Sequence, residues 1–234
     1  EANLAAAQAV DSTITVSIKN GGGIRAPIGE VVDEGDGTFT FQPPQANPLS
    51  GKETGEVSRL DIENSLRFDN GLSTVQLTPE QLKQVLEHAV AGTAPGATPG
   101  QFAQVAGLAF SFDPTATAQV LDGAGVPTTP GERIRSIVLT DIDGNPTRTL
   151  YADGAFAADA PASIGVVTLD FLAGGGDGYP FALYDTPVDL GIGEQAALFD
   201  HLATVYVEGE EIASALTTGD DVNLTASDNP SDGA

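Results

Sequence analysis

VTLDFLAGGGDGYPF, residues 167–181, is a β-branched and apolar run that stops abruptly in glycine. Counted back to Ile164, its first half predicts a strand over Ile164–Phe171, and Gly174-Gly175-Gly176-Asp177-Gly178-Tyr179 predicts a loop leaving that strand's end. A second stretch has the same grammar. In TITVSI, Ile14, Val16 and Ile18 alternate with polar neighbours, and the strand they predict runs into Asn20, the glycines Gly21, Gly22 and Gly23, and Arg25. Two strands that each end in a glycine-rich loop place two flexible backbone segments at strand ends, where ligand sites are commonly built.

Further elements surround these two. Residues 1–10 are helix-prone and start without a cap, and residues 31–60 predict a long surface loop with a short strand at Thr38-Phe39-Thr40-Phe41. The spacing predicts a helix over 79–91, with Thr78 as N-cap, Pro79 at the first helical position, Gln81 completing a capping box, and Leu82, Val85, Leu86 and Ala89 on one face. His88 falls off that face and is expected as a solvated surface residue. Strands are expected at Val105–Phe112 and Ile134–Ile142, the latter entering an Asp143-Gly144-Asn145-Pro146 turn. That turn lacks the further acidic ligands of a calcium loop. A last amphipathic helix is expected near Glu194–Tyr206, with His201 beside its apolar stripe, and an acidic, flexible tail over 218–234 after a domain spanning 1–217. Strands outnumber helices and alternate irregularly with them, which predicts an α+β fold rather than a doubly wound sheet.

Composition removes several functions. Of the 234 residues, 33 are acidic and 9 basic, for a net charge of −24, so a nucleic-acid binder is excluded by repulsion from phosphate backbones. The absence of Cys removes disulfides, thiolate metal sites and a cysteine nucleophile, and two His cannot furnish a His-rich metal centre. No apolar run approaches the roughly 20 residues that cross a bilayer, so no membrane span is expected. The lack of Met implies a processed product or fragment, and the scarcity of Lys beside abundant Asp points to a marine or halophilic source.

Chemistry-bearing groups cluster in three places. In Asn20–Arg25, glycine N–H groups and a guanidinium fork suit a phosphate or carboxylate, though a tight turn with a bridging arginine has the same composition. In Phe171–Tyr179, a ring offers a stacking face and Asp177 accepts hydrogen bonds from hydroxyls, though a core Phe entering a Gly/Asp turn would look alike. Ser65–Gly71 holds Arg67, Phe68 and Asn70 and is expected as a strand end entering a turn. Neither glycine loop is a phosphate-binding P-loop, since no Lys-Ser/Thr follows.

Together, NGGGIRAPIG (20–29), GEVSRLDIENSLRFDNGL (55–72), LTPEQLKQVLEHAV (77–90), QFAQVAGLAFSFDP (101–114) and VTLDFLAGGGDGYPF (167–181) resemble the C-terminal domain of the 5′-nucleotidase family. That family comprises metallophosphatases that include UDP-sugar hydrolases and bifunctional nucleotidases. The resemblance covers residues 14–205 and implies a layered α/β/β/α domain with mixed sheets that supplies substrate specificity. It implies that Asn20 and Arg25 hold a phosphate, that Phe68 and Phe171 sandwich a nucleobase, that Asn70 hydrogen-bonds the base, and that Asp177 takes ribose hydroxyls, with Gly21, Gly22, Gly23, Gly175 and Gly176 shaping the loops.

The implied ligand is a nucleotide or nucleoside. No catalytic or metal-ligating residue is expected in this chain: the resemblance places two divalent metal ions and the catalytic His-Asp pair in an N-terminal metallophosphatase domain of the full-length protein, exported to the periplasm or beyond. The chain alone is therefore expected to be inactive. Arg67 stands where proline is usual, Asp69 where glycine is usual, and Asp170 where asparagine is common. These departures and the acidic tail are compatible with an alternative, an extracellular binding or adhesion module on the same scaffold without nucleotidase chemistry.

Overall fold

The computed structural model describes residues 1–49 and 51–205, so Tyr206 and the expected acidic tail lie outside the described residues. The chain forms two compact units, one of Gly23–Asp69 and one of the residues on either side of it. Helix α1 (Ala2–Val10) leads into strand β1 (Ile14–Asn20). The smaller unit then contributes β2 (Glu30–Asp33), β3 (Phe39–Gln42) and helix α2 (Arg59–Ser65).

The larger unit resumes with β4 (Gly71–Leu77), α3 (Pro79–Val90), β5 (Ala103–Ala106) and β6 (Leu108–Phe112). A short ribbon of β7 (Val120–Leu121) and β8 (Pro127–Thr129) follows, then β9 (Ile134–Thr140), β10 (Pro146–Ala152) and β11 (Ala155–Phe156). The chain ends its described part with β12 (Ile164–Leu169), the single-turn helix α4 (Asp170–Ala173), β13 (Val188–Gly193) and α5 (Glu194–Val205).

Two sheets organise the larger unit. The first has the order β13-β4-β12-β1-β5, with β1 and β12 parallel and the other pairs antiparallel; the second is an antiparallel β11-β10-β9-β6 sheet. This mixture of sheets and helices is the α+β architecture expected from the strand pattern. The parallel pair at the centre puts the ends of β1 and β12 side by side, and both ends carry glycine loops. β12 is buried along its whole length, as a strand covered on both faces must be.

Helix α3 packs on β4 and β5 and also on β9 of the second sheet, so it ties the two sheets together. Its start is as the spacing predicted: Thr78 accepts from the Gln81 backbone N–H while the Gln81 side chain accepts from Thr78. The stripe Leu82, Val85, Leu86 and Ala89 is fully buried, each of the larger side chains contributing about 1.5–3 kcal/mol. At its C-terminus Arg133 donates from Nη1 to the carbonyls of Val90, Ala91 and Thr93, which satisfies carbonyls the helix leaves open. Glu87, 1% exposed, accepts from Lys83 Nζ and from the backbone N–H groups of Arg133 and Ile134.

Four expectations are corrected. The run Val105–Phe112 is two strands, broken at Gly107, whose φ is +71° and where a β-carbon would lie 2.0 Å from the Thr15 carbonyl oxygen. Residues 31–60 are not one loop: β2 and β3 pair as a ribbon, and Ser58 caps α2 in a capping box with Asp61. Ser65–Gly71 is therefore a helix end leading to β4, not a strand end. The strand expected over Ile164–Phe171 stops at Leu169, and Phe171 belongs to the turn of α4.

Candidate functional site

In the larger unit, Asn20 closes β1 and Asp177 lies in the loop after β12 and α4. Asn20 is 5% exposed, and its Nδ2 donates to Asp177 Oδ2 at 2.6 Å. A carboxylate can only accept, so this bond fixes the amide orientation and leaves Asn20 Oδ1 buried without a partner. The exposed Asp177 carboxylate keeps further acceptor sites for a ligand. Asp177 is held at φ 50°, ψ 19°, in the left-handed region.

Phe171, 46% exposed, stands on α4 just before that loop. A β-carbon on Gly176 would fall 2.5 Å from Phe171 Cε2 and Cζ and from its carbonyl oxygen, so the Cε2–Cζ side of the ring rests against this glycine. Gly175, at φ +96°, turns the chain out of α4. Asp170, where the resemblance notes asparagine, accepts from the Phe171 N–H at 2.6 Å and lies beside Gly71 at the start of β4.

The first glycine loop serves packing. Gly21 N–H donates to the Phe102 carbonyl and Gly22 N–H to the Gly100 carbonyl, both at 2.8 Å, and a β-carbon on Gly22 would touch Gly100. These two N–H groups are thus spent on the 100–102 segment rather than turned toward an anion. Gly23 is buried at the end of the same short turn.

Asn70 is half-buried and anchored: its Nδ2 and backbone N–H donate to Glu194 Oε1 at 3.0 and 3.3 Å, while its carbonyl accepts from Glu194 N–H. Glu194, fully buried, also pairs with Lys19 Nζ at 2.6 Å. One carboxylate therefore joins the end of β1 to the starts of β4 and α5.

In the smaller unit, Arg25 and Phe68 come together. Arg25 N–H donates to the Ser65 carbonyl at 2.7 Å, and its guanidinium carbon lies 5.9 Å from the centroid of the Phe68 ring, a cation–π distance. Phe68 is 61% exposed. Asp69 takes φ 44°, so it adopts the left-handed backbone for which glycine is the usual residue.

His88 is the residue that sequence reasoning misplaced. It is half-buried rather than solvated, its Nε2 lies 2.8 Å from the Asp177 carbonyl oxygen, and its ring meets Tyr179 edge-on at 4.9 Å. Burial pushes its pKa below the ordinary histidine value. No periodicity could have shown this, because the partner is a glycine loop 89 residues further on. Behind that loop lies a cavity of about 620 Å³ lined by His88, Gln101, Gln119, Asp122, Gly175 and Tyr179, among others. Among the described residues, no three His, Cys, Asp or Glu side chains are grouped to hold a metal ion, and no helix is long and apolar enough to cross a membrane.

Comparison with known proteins places this architecture. The sequence pattern of the 5′-nucleotidase C-terminal domain matches residues 2–184. The trifunctional nucleotide phosphoesterase protein YfkN of Bacillus subtilis (strain 168) is 29% identical over 164 residues, which is 70% of this chain and 8% of that protein. A 5′-nucleotidase precursor from Thermus thermophilus superposes with a TM-score of 0.57 at 22% identity, over 87% of this chain and 31% of its own. The NAD nucleotidase of Haemophilus influenzae superposes with a TM-score of 0.57 at 20% identity, over 86% of this chain and 29% of its own. The two structures attest the fold, and this chain spans less than a third of each. The chain belongs to the 5′-nucleotidase C-terminal domain family.

Proposed function

We propose that the chain is the substrate-binding domain of a 5′-nucleotidase-type phosphohydrolase, which binds a nucleoside or nucleotide and presents its phosphate to a separate catalytic domain. The observation that carries this reading is the Asn20–Asp177 pair: an exposed carboxylate held at 2.6 Å by a buried amide whose Oδ1 has no donor, with the half-exposed Phe171 ring on the helical turn just before it. Ribose hydroxyls donate, which suits the free acceptor sites of the exposed carboxylate. As the resemblance implies, Phe171 and Phe68 each offer a ring to the base, a stacking contact contributing on the order of 1–3 kcal/mol. Arg25 supplies the planar fork for phosphate. Asn70, already committed to Glu194, reaches the base only at the expense of that bond.

In the full-length protein, an N-terminal metallophosphatase domain would hold two divalent metal ions that activate water and stabilise developing charge. Among the described residues no three His, Cys, Asp or Glu side chains are grouped to hold such ions, and the contribution of this chain to rate is placement of the scissile phosphate. The domain runs over residues 1–217 with an acidic tail after it, and the protein works in the periplasm or outside the cell, on nucleoside 5′-phosphates or related nucleotides.

Titration of adenosine and AMP into the 234-residue chain, followed by amide chemical shifts, tests the reading. Saturable shifts in the two glycine loops that Phe171→Ala reduces at least tenfold are expected. No response at millimolar ligand would overturn nucleotide binding and favour an adhesion module on this scaffold, and metal-dependent AMP hydrolysis by the chain alone would overturn the division of labour.

A further inference from the structure

The glycine loop that carries Asp177 is held from beneath by a side chain that no ligand contact accounts for. His88 projects from α3 so that its Nε2 meets the Asp177 carbonyl oxygen at 2.8 Å. A carbonyl only accepts, so Nε2 carries the proton and Nδ1 is bare when the ring is neutral. The ring is fixed on its other sides. Tyr179, 2% exposed, meets it edge-on, and Gly178 closes over it so tightly that a β-carbon there would lie 3.1 Å from His88 Cε1. Gln101 Nε2 approaches the His88 carbonyl at 3.4 Å. The helix beneath is anchored by Glu87 and Arg133, so the imidazole is a fixed post rather than a mobile surface group.

Above this post, Asp177 adopts a left-handed backbone that a residue with a β-carbon resists. Such a conformation persists where its surroundings over-determine it. The His88 bond grips the carbonyl of residue 177, and the Asn20 bond grips its carboxylate. Together they set both ends of the residue, and with them the direction in which its remaining acceptor sites face.

We propose that His88 is a positioning residue for the sugar subsite: by holding the Asp177 carbonyl it keeps that residue left-handed and its carboxylate aimed at the ribose hydroxyls of a bound nucleoside. The inference rests on the reading of Asp177 as the ribose contact. The ring's burial is consistent with it, since burial favours the neutral imidazole, and of its two neutral tautomers the one with the proton on Nε2 makes this bond.

The chain contains two histidines, so long-range proton–nitrogen correlation spectra of the 234-residue chain resolve each ring. His88 is expected in the Nε2–H tautomer; the Nδ1–H tautomer overturns the proposal. Adenosine and 2′,3′-dideoxyadenosine are then titrated into the unmodified chain, His88→Phe and His88→Gln. His88→Phe keeps a ring against Tyr179 and Gly178 but has no donor. It is expected to weaken adenosine roughly tenfold, the scale of one hydrogen bond to a charged group, and to leave the dideoxynucleoside unchanged. His88→Gln, whose amide reaches the same carbonyl, restores most of the loss.

Equal weakening of both nucleosides, or no rescue by Gln, overturns positioning in favour of a packing role. If the unmodified chain binds neither nucleoside, the ribose reading fails by itself. The Asn20 side-chain amide resonance then still decides the local question, since it shifts in His88→Phe if His88 holds residue 177 and stays put if it does not. Should His88→Phe fail to fold, the tautomer and the His88→Gln titration decide between positioning and packing.

Discussion

Gly176→Ala isolates the contact between the second glycine loop and the Phe171 ring. The added methyl would sit 2.5 Å from two ring carbons and 2.5 Å from the Phe171 carbonyl oxygen. The ring could swing away into solvent at little cost, but the backbone oxygen cannot, so the loop must shift. Overpacking of this kind costs typically 1–3 kcal/mol. At 2–4 °C per kcal/mol for a domain of this size, the thermal midpoint should fall by about 2–12 °C. The displaced ring also loses its support for stacking, so nucleoside affinity should fall by roughly 10- to 100-fold. Gly123→Ala is the control, because a β-carbon there meets nothing within 4 Å; it should change stability by less than about 0.5 kcal/mol. Differential scanning fluorimetry and ligand titration on the two variants give the comparison. A Gly176→Ala protein with the melting temperature and affinity of the unmodified chain would refute the claim that this glycine seats the ring.

Two further predictions concern the buried charges. Glu194→Gln removes the negative partner from Lys19 and sets an amide donor among donors from Lys19 and Asn70, so it should cost about 3–5 kcal/mol in denaturant unfolding; a Lys19→Met/Glu194→Leu double variant should recover much of that, and a neutral single variant would contradict the pairing. For pH, the His88 pKa is lowered in the folded protein by burial, against opposing contributions from the Asp177 carbonyl bond and charge. The unfolded chain therefore binds the proton first, and the stability this neutral ring confers is complete above about pH 6.5 and lost as pH falls from there through the folded value. Relative to His88→Phe, the unmodified chain should lose stability as pH falls below about 6.5 in chemical denaturation, and a pH-independent difference would contradict the assignment.

What was legible in the sequence was local. Thr78, Pro79 and Gln81 announce α3 because a capping box closes within four residues, and the strands of the central parallel pair show in Ile14, Val16 and Ile18 and in the unbroken run from Ile164. Ser58 and Asp61 form the same kind of signal ahead of α2, but only Ile62 and Ser65 of that short helix are buried, so no apolar periodicity reinforced it. For the candidate site, the sequence showed the residue types and motifs but not their arrangement. That Asn20 and Asp177 bond to each other, that Gly21 and Gly22 spend their N–H groups on residues 100–102, and that His88 lies under Gly178 all depend on contacts across long stretches of chain. Asn70 shows the same limit, since its buried partner Glu194 reads in sequence as an ordinary acidic residue at a helix start.

Gly107 has a consequence for how this scaffold can change over time. A single hydrophobic run crosses from one sheet to the other at this residue, with Ala106 ending β5 and Leu108 beginning β6. The left-handed turn and the close approach of the Thr15 carbonyl leave no slack between them. Adding or deleting one residue there would turn Leu108, Phe110 and Phe112 over to the opposite side of β6, since strand faces alternate with period two. The two sheets thus share one reading frame of faces. Variation can lengthen the outer turns near Gly144 or Gly123 without penalty to the core, whereas the junction between β5 and β6 must keep its length for the ends of β1 and β12 to remain in step with the rest.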